Sequence, residues 1–304
     1  MKICVATAAV FVLLLCAADS RAQVMDMPLL RRGANAAHAA YGDSYTAFVS
    51  GQASLYGNPA GLAGAGVREA SVTYQRWLGN SDIYAFGGSM PVADGGGVGV
   101  SLSVLDSDGI FGSDEDMLAP SNQYISFAMG YGQRFGWLRG GIALKIVGVR
   151  VDPEGVAGFT IDGGLQALLA EGDLQLGLSI HNLGSMGESS IVNGDLPAMI
   201  RAGIAAKPVR VFTGGSGQPE LQLFVSPEVV FDLVTNERRF HGGIGIEVDD
   251  VLVVRGGYLS GDPVKRFTTG LGLMYESFTL DYAFLPLRED FDSSSHQISI
   301  SYRW

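Results

Sequence analysis

Cysteine is nearly absent from this chain: its 304 residues hold two, Cys4 and Cys16, both near the start. Everything after them must fold without a disulfide or a thiolate metal site. Long apolar runs are missing too. Hydrophobic residues make up 47% of the chain, yet no stretch after Ala18 approaches a helix-length span, which takes about 20 residues. Basic charge is in deficit, 20 Lys and Arg against 31 Asp and Glu for a net −11. That excludes a nucleic-acid partner, which needs a basic stripe over its phosphates. No Ser/Pro run, low-complexity tract or charge block marks a linker.

Catalytic and metal signatures are lacking as well. There is no Gly-x-Ser-x-Gly, and Gly95-Gly96-Gly97-Val98-Gly99 has neither the spacing nor the helix of a nucleotide loop. The four histidines, His38, His181, His241 and His296, stand far apart. Gly42-Asp43-Ser44 has the letters of an esterase nucleophile block, but no strand leads into it. Asp106, Asp108, Asp114, Glu115 and Asp116 lack EF-hand order and read as a solvated loop rather than a calcium site. The expectation is a protein that is no enzyme and binds no metal or cofactor.

What is present begins with a secretory leader. Lys2 supplies the basic start, Val5 to Ala18 the apolar core and Ser20-Arg21-Ala22 a small-x-small cleavage site before Gln23. Residues 1–22 are therefore expected to be removed as a signal peptide. Glycine is abundant, 43 residues or about twice the usual share. It recurs in pairs inside apparent strands, as at Gly87-Gly88, Gly140-Gly141 and Gly163-Gly164.

From Val67 onward the chain divides into alternating segments separated by turn signals. These predict strands over 68–78, 82–92, 97–106, 122–135, 137–151, 157–170, 173–183, 198–208, 219–233, 238–248, 251–260, 266–276, 278–286 and 295–304. Taken alternately, one set of links is mostly tight (Ala93 to Gly96, Gly136, Glu171-Gly172, Asp249-Asp250, Ser277), while the other holds longer polar stretches. Gly79 to Ser81, Thr235 to Glu237 and the long Val209 to Gln218 break that rule. Short periplasmic turns alternating with longer outer loops describe a membrane barrel.

The two faces of the strands differ. Ile142, Leu144 and Ile146 alternate with Ala143, Lys145 and Val147; Phe159, Ile161 and Leu165 alternate with Thr160, Asp162 and Gln166. One row is apolar, the other mixes polar, charged and very small residues. A soluble sandwich would show the reverse economy. Aromatic residues at strand ends (Trp77, Tyr84, Trp137, Phe267, Tyr275, Trp304) suit interfacial girdles. The segment His296 to Trp304 puts Ile298, Ile300, Tyr302 and Trp304 on one face, which resembles the closing-strand insertion signal of bacterial outer-membrane barrels. That strand should pair with residues 68–78.

The inward row predicts charge partners: Lys145 with Asp162, Glu228 with His241, and Arg255 with Asp281 across a strand whose Gly270 and Gly272 leave room. Arg201 and Glu247 belong to the same row. Pro227, in mid-strand, suggests a bulge or a lateral opening. Residues 23–66 do not alternate, and the lumen of a barrel this wide is where they would go.

The run Asn58-Pro59-Ala60-Gly61-Leu62-Ala63 before the first strand resembles the hatch of the FadL-like outer-membrane superfamily, which has fourteen strands. Three further stretches, His181-Asn182-Leu183-Gly184 ahead of Leu196-Pro197, Arg255-Gly256-Gly257-Tyr258, and Asp281-Tyr282-Ala283-Phe284-Leu285-Pro286, resemble its PorV/PorQ branch. The resemblance implies an all-β transmembrane antiparallel barrel of about fourteen strands over 67–304, with 23–66 as a hatch inside it. It implies a place in the outer membrane of a Gram-negative bacterium, among lipid and lipopolysaccharide, reached through the barrel-insertion machinery. For function it implies protein secretion or surface attachment of the type IX kind, with a secretion translocon and secreted cargo as partners. The alternative is a FadL-like transporter of small hydrophobic compounds. A continuous apolar pocket between hatch and wall would favour the transporter, and a polar, occluded lumen the partner-binding role.

Overall fold

The computed structural model describes residues 27–33, 35–79, 81–108, 121–151, 154–189, 196–212, 220–288 and 294–304. The leader of residues 1–22 and the acidic stretch at Asp114, Glu115 and Asp116 lie outside them. Fourteen strands follow one another: β1 Glu69–Arg76, β2 Ser81–Val92, β3 Gly96–Asp108, β4 Ser121–Phe135, β5 Leu138–Val151, β6 Glu154–Leu169, β7 Leu174–Met186, β8 Met199–Phe212, β9 Glu220–Asp232, β10 Arg238–Val248, β11 Leu252–Ser260, β12 Phe267–Tyr275, β13 Phe278–Pro286 and β14 Ser294–Arg303. Each pairs antiparallel with its sequence neighbours, and β14 returns to β1, from Glu69↔Arg303 to Arg76↔His296, so the sheet closes. Closure gives every described strand a neighbour on both sides.

The apolar row faces out. Phe86, Ile142, Ile146, Phe159, Ile161, Leu178, Ile244, Leu271 and Ile300 are all exposed, while Thr73, Ser101, Lys145, Asp162, Arg201, Glu228 and Asp281 between them are buried. A protein in water does not display so large a contiguous apolar belt; a barrel with lipid outside does. The molecule is a transmembrane β-barrel.

Before β1 the chain is short and irregular: α1 Pro28–Arg31, α2 Ala36–Ala40, a 3-10 turn Gly51–Ala53, α3 Ser54–Gly57 and a second 3-10 turn Pro59–Gly64. The second 3-10 turn contacts β3, β4, β5 and β6, and α2 contacts β11 to β14. The segment therefore spans the inside of the ring. Its apolar side chains form small clusters with wall residues, Leu55 and Leu62 with Ala128 and Ala143, and Ala36, Ala39 and Ala40 with Ala283 and Leu285.

Two expectations are corrected. Trp77 is 3% exposed and clusters with Leu29, Ile83 and Leu105, beneath the guanidinium of Arg32, so it is no girdle residue. The parity of β1 explains this: Ser71, Thr73 and Gln75 face inward, and Trp77 continues that row. Pro227 marks no bulge. The β8–β9 register is the same at Gly203↔Glu228 and Ala206↔Val225 on either side of it, and the shift falls between Ala206 and Val209, around Pro208. A proline removes its own ladder hydrogen bond; only at position 208 does the chain absorb that loss by changing register.

Candidate functional site

The residues that set this barrel apart lie where the inner segment meets the wall. Asn58 is fully buried and divides its amide between two tasks. Its Oδ1 accepts from the Ala60 N–H at 3.2 Å, capping the turn that Pro59 begins. Its Nδ2 donates at 2.9 Å to the Thr46 carbonyl within the segment and at 2.9 Å to the Leu165 carbonyl of β6 in the wall. The glycine pairs make this approach possible. A Cβ on Gly164 would collide with Asn58 Oδ1, and one on Gly141 with the Pro59 carbonyl. Ala60 and Gly61 are likewise buried against the segment, where a side chain at Gly61 would strike the Val49 carbonyl.

A second group is built on a bulge. Gly163 pairs with Ile180 but Ile161 with Leu183, so His181 and Asn182 together oppose Asp162. Asn182 adopts φ 59°, a left-handed conformation that Asn tolerates, and both side chains end up inside. Asp162 collects the donors: Lys145 Nζ at 2.5 Å, His181 Nδ1 at 2.8 Å and the Asn182 N–H at 2.8 Å. Asn182 Oδ1 accepts from Lys145, and its Nδ2 donates to the carbonyls of Leu30 and Pro197. Ser179 Oγ lies 2.7 Å from His181 Nε2 and donates to the Gly57 carbonyl. Ser179, His181 and Asp162 thus share the order of a hydrolytic triad, but the hydroxyl is buried and engaged by the inner segment. The wiring ties wall to segment.

The other charges follow the same plan. Arg201 of β8 and Glu228 of β9 pair at 2.5 Å. Glu228 Oε2 then accepts the N–H groups of Tyr45 and Thr46, and Arg201 donates to Tyr45 Oη and the Asp43 carbonyl. His241 stands opposite Glu228 in register, as the row required, but the expected pairing of the two is corrected. Arg201 takes the carboxylate because its planar fork reaches it from β8, and His241 Nδ1 faces the Asp43 carbonyl at 3.4 Å instead. Arg255 and Asp281 meet at 2.7 Å across β12, and a Cβ on Gly272 would lie 2.6 Å from both. Glu247 is half-buried at the turn end of the same row, away from these contacts.

Asp43, read from sequence as part of an esterase block, is a buried anchor whose carboxylate pairs with Lys265 at 2.6 Å, and Ser44 Oγ donates to the Ser226 carbonyl of the wall. Sequence reasoning missed Lys265, Gln52 and Tyr45. Lys265 sits between strands, where alternation carries no information. Gln52 bonds Ser71 and Ser101, and only the fold reveals that contact.

Two polar cavities flank the packed middle. At the loop end a cavity of 390 Å³ is lined by Arg31, Arg201, Asp232, Arg239, His241 and Lys265 among others. At the turn end one of 250 Å³ is lined by Lys207, Glu220, Gln222, Glu247, Asp249 and Asp250. A much smaller space of about 20 Å³ lies beside Tyr56 and Gln75, under the β1–β2 wall.

No family model matches the chain, and no curated protein does. Solved structures do. The Ralstonia pickettii toluene transporter TbuX superposes with a TM-score of 0.58 at 13% identity, over 90% of this chain and 99% of that one. The Pseudomonas putida toluene transporter TodX gives 0.56 at 14% identity, over 93% and 99%. A Pseudomonas aeruginosa FadL homologue gives 0.57 at 10% identity, over 89% and 98%. At such identities the likeness is one of fold, and it extends over nearly the whole of each chain.

Proposed function

We propose that this chain is a Gram-negative outer-membrane transport protein for small apolar compounds, with the N-terminal segment as its gate. The observation that carries the reading is a fold in common with barrels described as toluene transporters, in a molecule whose inner segment fills the lumen and is pinned to it. An apolar solute has little reason to enter the loop-end cavity, which is lined by Arg, Lys, His and Asp. An apolar cluster of Met27, Leu30, Val147, Val149 and Leu196 lies inside the wall. Near it the β7–β8 pairing among the described residues runs as far as His181↔Met199, and β7 itself runs on to Met186. Solute leaving the lipid there would meet apolar surface first. The test is uptake of radiolabelled toluene by cells expressing the chain, against cells with an empty vector. Equal rates at matched barrel levels would sink the proposal.

A second reading, protein secretion or surface attachment of the PorV/PorQ kind, draws on the polar, occluded interior, which suits a barrel that acts through partners. Crosslinking and pull-down from detergent-solubilised membranes separate the two. A translocon component or secreted cargo recovered in stoichiometric amount would favour export, and recovery of no protein partner would count heavily against it.

A further inference from the structure

The outside of the wall carries a concavity that transport does not use. On the lipid face near the turn end, Ala70 of β1 stands opposite Gly88 of β2, and Gly88 opposite Val100 of β3. These two small residues make a floor between taller neighbours. Trp304 rises on one side, and Met90, Val98 and Val100 on the other, flanking a groove of about 330 Å³ whose exposed surface is almost wholly apolar. At its rim stands Arg68. The backbone of Arg68 bonds that of Trp304 in both directions at 3.1 Å. Its guanidinium is exposed and has no hydrogen-bond or ion partner among the described residues. The nearby carboxylate of Glu69 does not compete for it, since it points inward at Gly51 and is held by Arg303 at 3.2 Å.

We infer that this groove is a binding site for one phospholipid, with an acyl chain laid over Ala70 and Gly88 and the phosphate on Arg68. The indole of Trp304 stands where chain and headgroup meet, the position its apolar body and polar N–H favour. Here the small pair forms a notch among the exposed large side chains of Met90, Val100 and Trp304. A cation with no partner beside an apolar groove matches the two halves of a phospholipid and nothing wholly apolar. The inference rests on the membrane-spanning fold but is independent of what the barrel transports.

Brominated lipids quench tryptophan on contact, which gives a direct test. Trp77→Phe and Trp137→Phe leave Trp304 as the sole tryptophan, since the chain has three, and excitation at its red edge avoids the tyrosines. The protein is folded into phosphatidylcholine bilayers containing a low mole fraction of either brominated phosphatidylcholine or brominated diacylglycerol, which lacks the phosphate. Per molecule, the phospholipid should quench about three- to fivefold more strongly, the ratio that one exposed charge pair supplies. Arg68→Gln should make the two lipids equal, and Ala70→Leu, which fills the floor, should lower quenching by both. Equal quenching by the two lipids in the parent, or a phosphate advantage that survives Arg68→Gln, overturns the site. Heat-modifiable migration of every variant is recorded alongside. Loss of that shift in the parent would refute the membrane barrel itself, a different failure from loss of lipid preference.

Discussion

The amide of Asn58 is one of several groups that join segment to wall, and its removal has a definite expected cost. Asn58→Ala takes a donor from the Leu165 and Thr46 carbonyls, the latter keeping Gln166, and the acceptor from the Ala60 N–H, worth about 2 kcal/mol. Within the folded barrel, cleavage of residues 27–66 by added protease should then rise on the order of 30-fold. Unchanged protection would mean that the amide is dispensable. Gly272 makes the opposite kind of case, because what matters there is a missing side chain. Gly272→Val puts atoms where Arg255 and Asp281 meet and should lower stability by about 1–3 kcal/mol, seen as a lower urea midpoint in micelles. A midpoint unaltered by the valine would show that the pair has room to shift. The glycines and the Asn-Pro run are both conspicuous in the sequence. That Gly141 and Gly164 exist to admit Pro59 and Asn58 is not, because no local pattern connects positions a hundred residues apart.

Among the elements, β8 and β9 carry the heaviest buried charge, and the balance between partners outweighs either charge alone. Arg201→Met leaves Glu228 uncompensated and should cost about 3–5 kcal/mol. Arg201→Met with Glu228→Gln should cost less than the single change, since no lone charge remains. Thermal conversion from the compact to the extended form on gels reads both, and a double variant worse than the single would refute a charge-balance account. The closing element, β14, makes a separate prediction. Its outward residues Ile298, Ile300, Tyr302 and Trp304 are exposed, with Tyr302 stacked on Trp304 at 5.5 Å between centroids. If that row is read by the insertion machinery, deleting Trp304 should leave protein in the periplasm before any activity changes. Normal membrane levels of the deleted form would remove the targeting role. Strand existence was legible throughout, with ends within about four residues, because each strand declares its period locally. The bulge at His181-Asn182 was not, since it arises from two strands together.

For the molecule as a whole, the question is whether the inner segment must move. The Ala36 N–H donates to Ser299 Oγ of β14 at 2.8 Å, which brings the two residues close enough to crosslink. The only natural cysteines are Cys4 and Cys16, so an Ala36→Cys/Ser299→Cys pair has few competitors. Under oxidising conditions the locked protein should lose toluene uptake, and a reductant should restore it. Uptake equal in both states would show that passage needs no movement of α2. The same variant separates gating from lipid binding, since the groove beside Arg68 lies on the far side of the wall.

The sequence by itself determined the architecture: a closed sheet of fourteen strands, which row faces outward, and which strand completes the ring. Alternation, turn spacing and composition are local quantities, and a barrel is their direct sum. Only the tertiary structure decided which charges meet, why the paired glycines are there, and that Trp77 belongs inside. Those outcomes depend on register between strands and on the path of a segment with no period of its own. A buried carboxylate such as Glu228 takes the donors whose geometry reaches it, whichever residue stands opposite in the ladder.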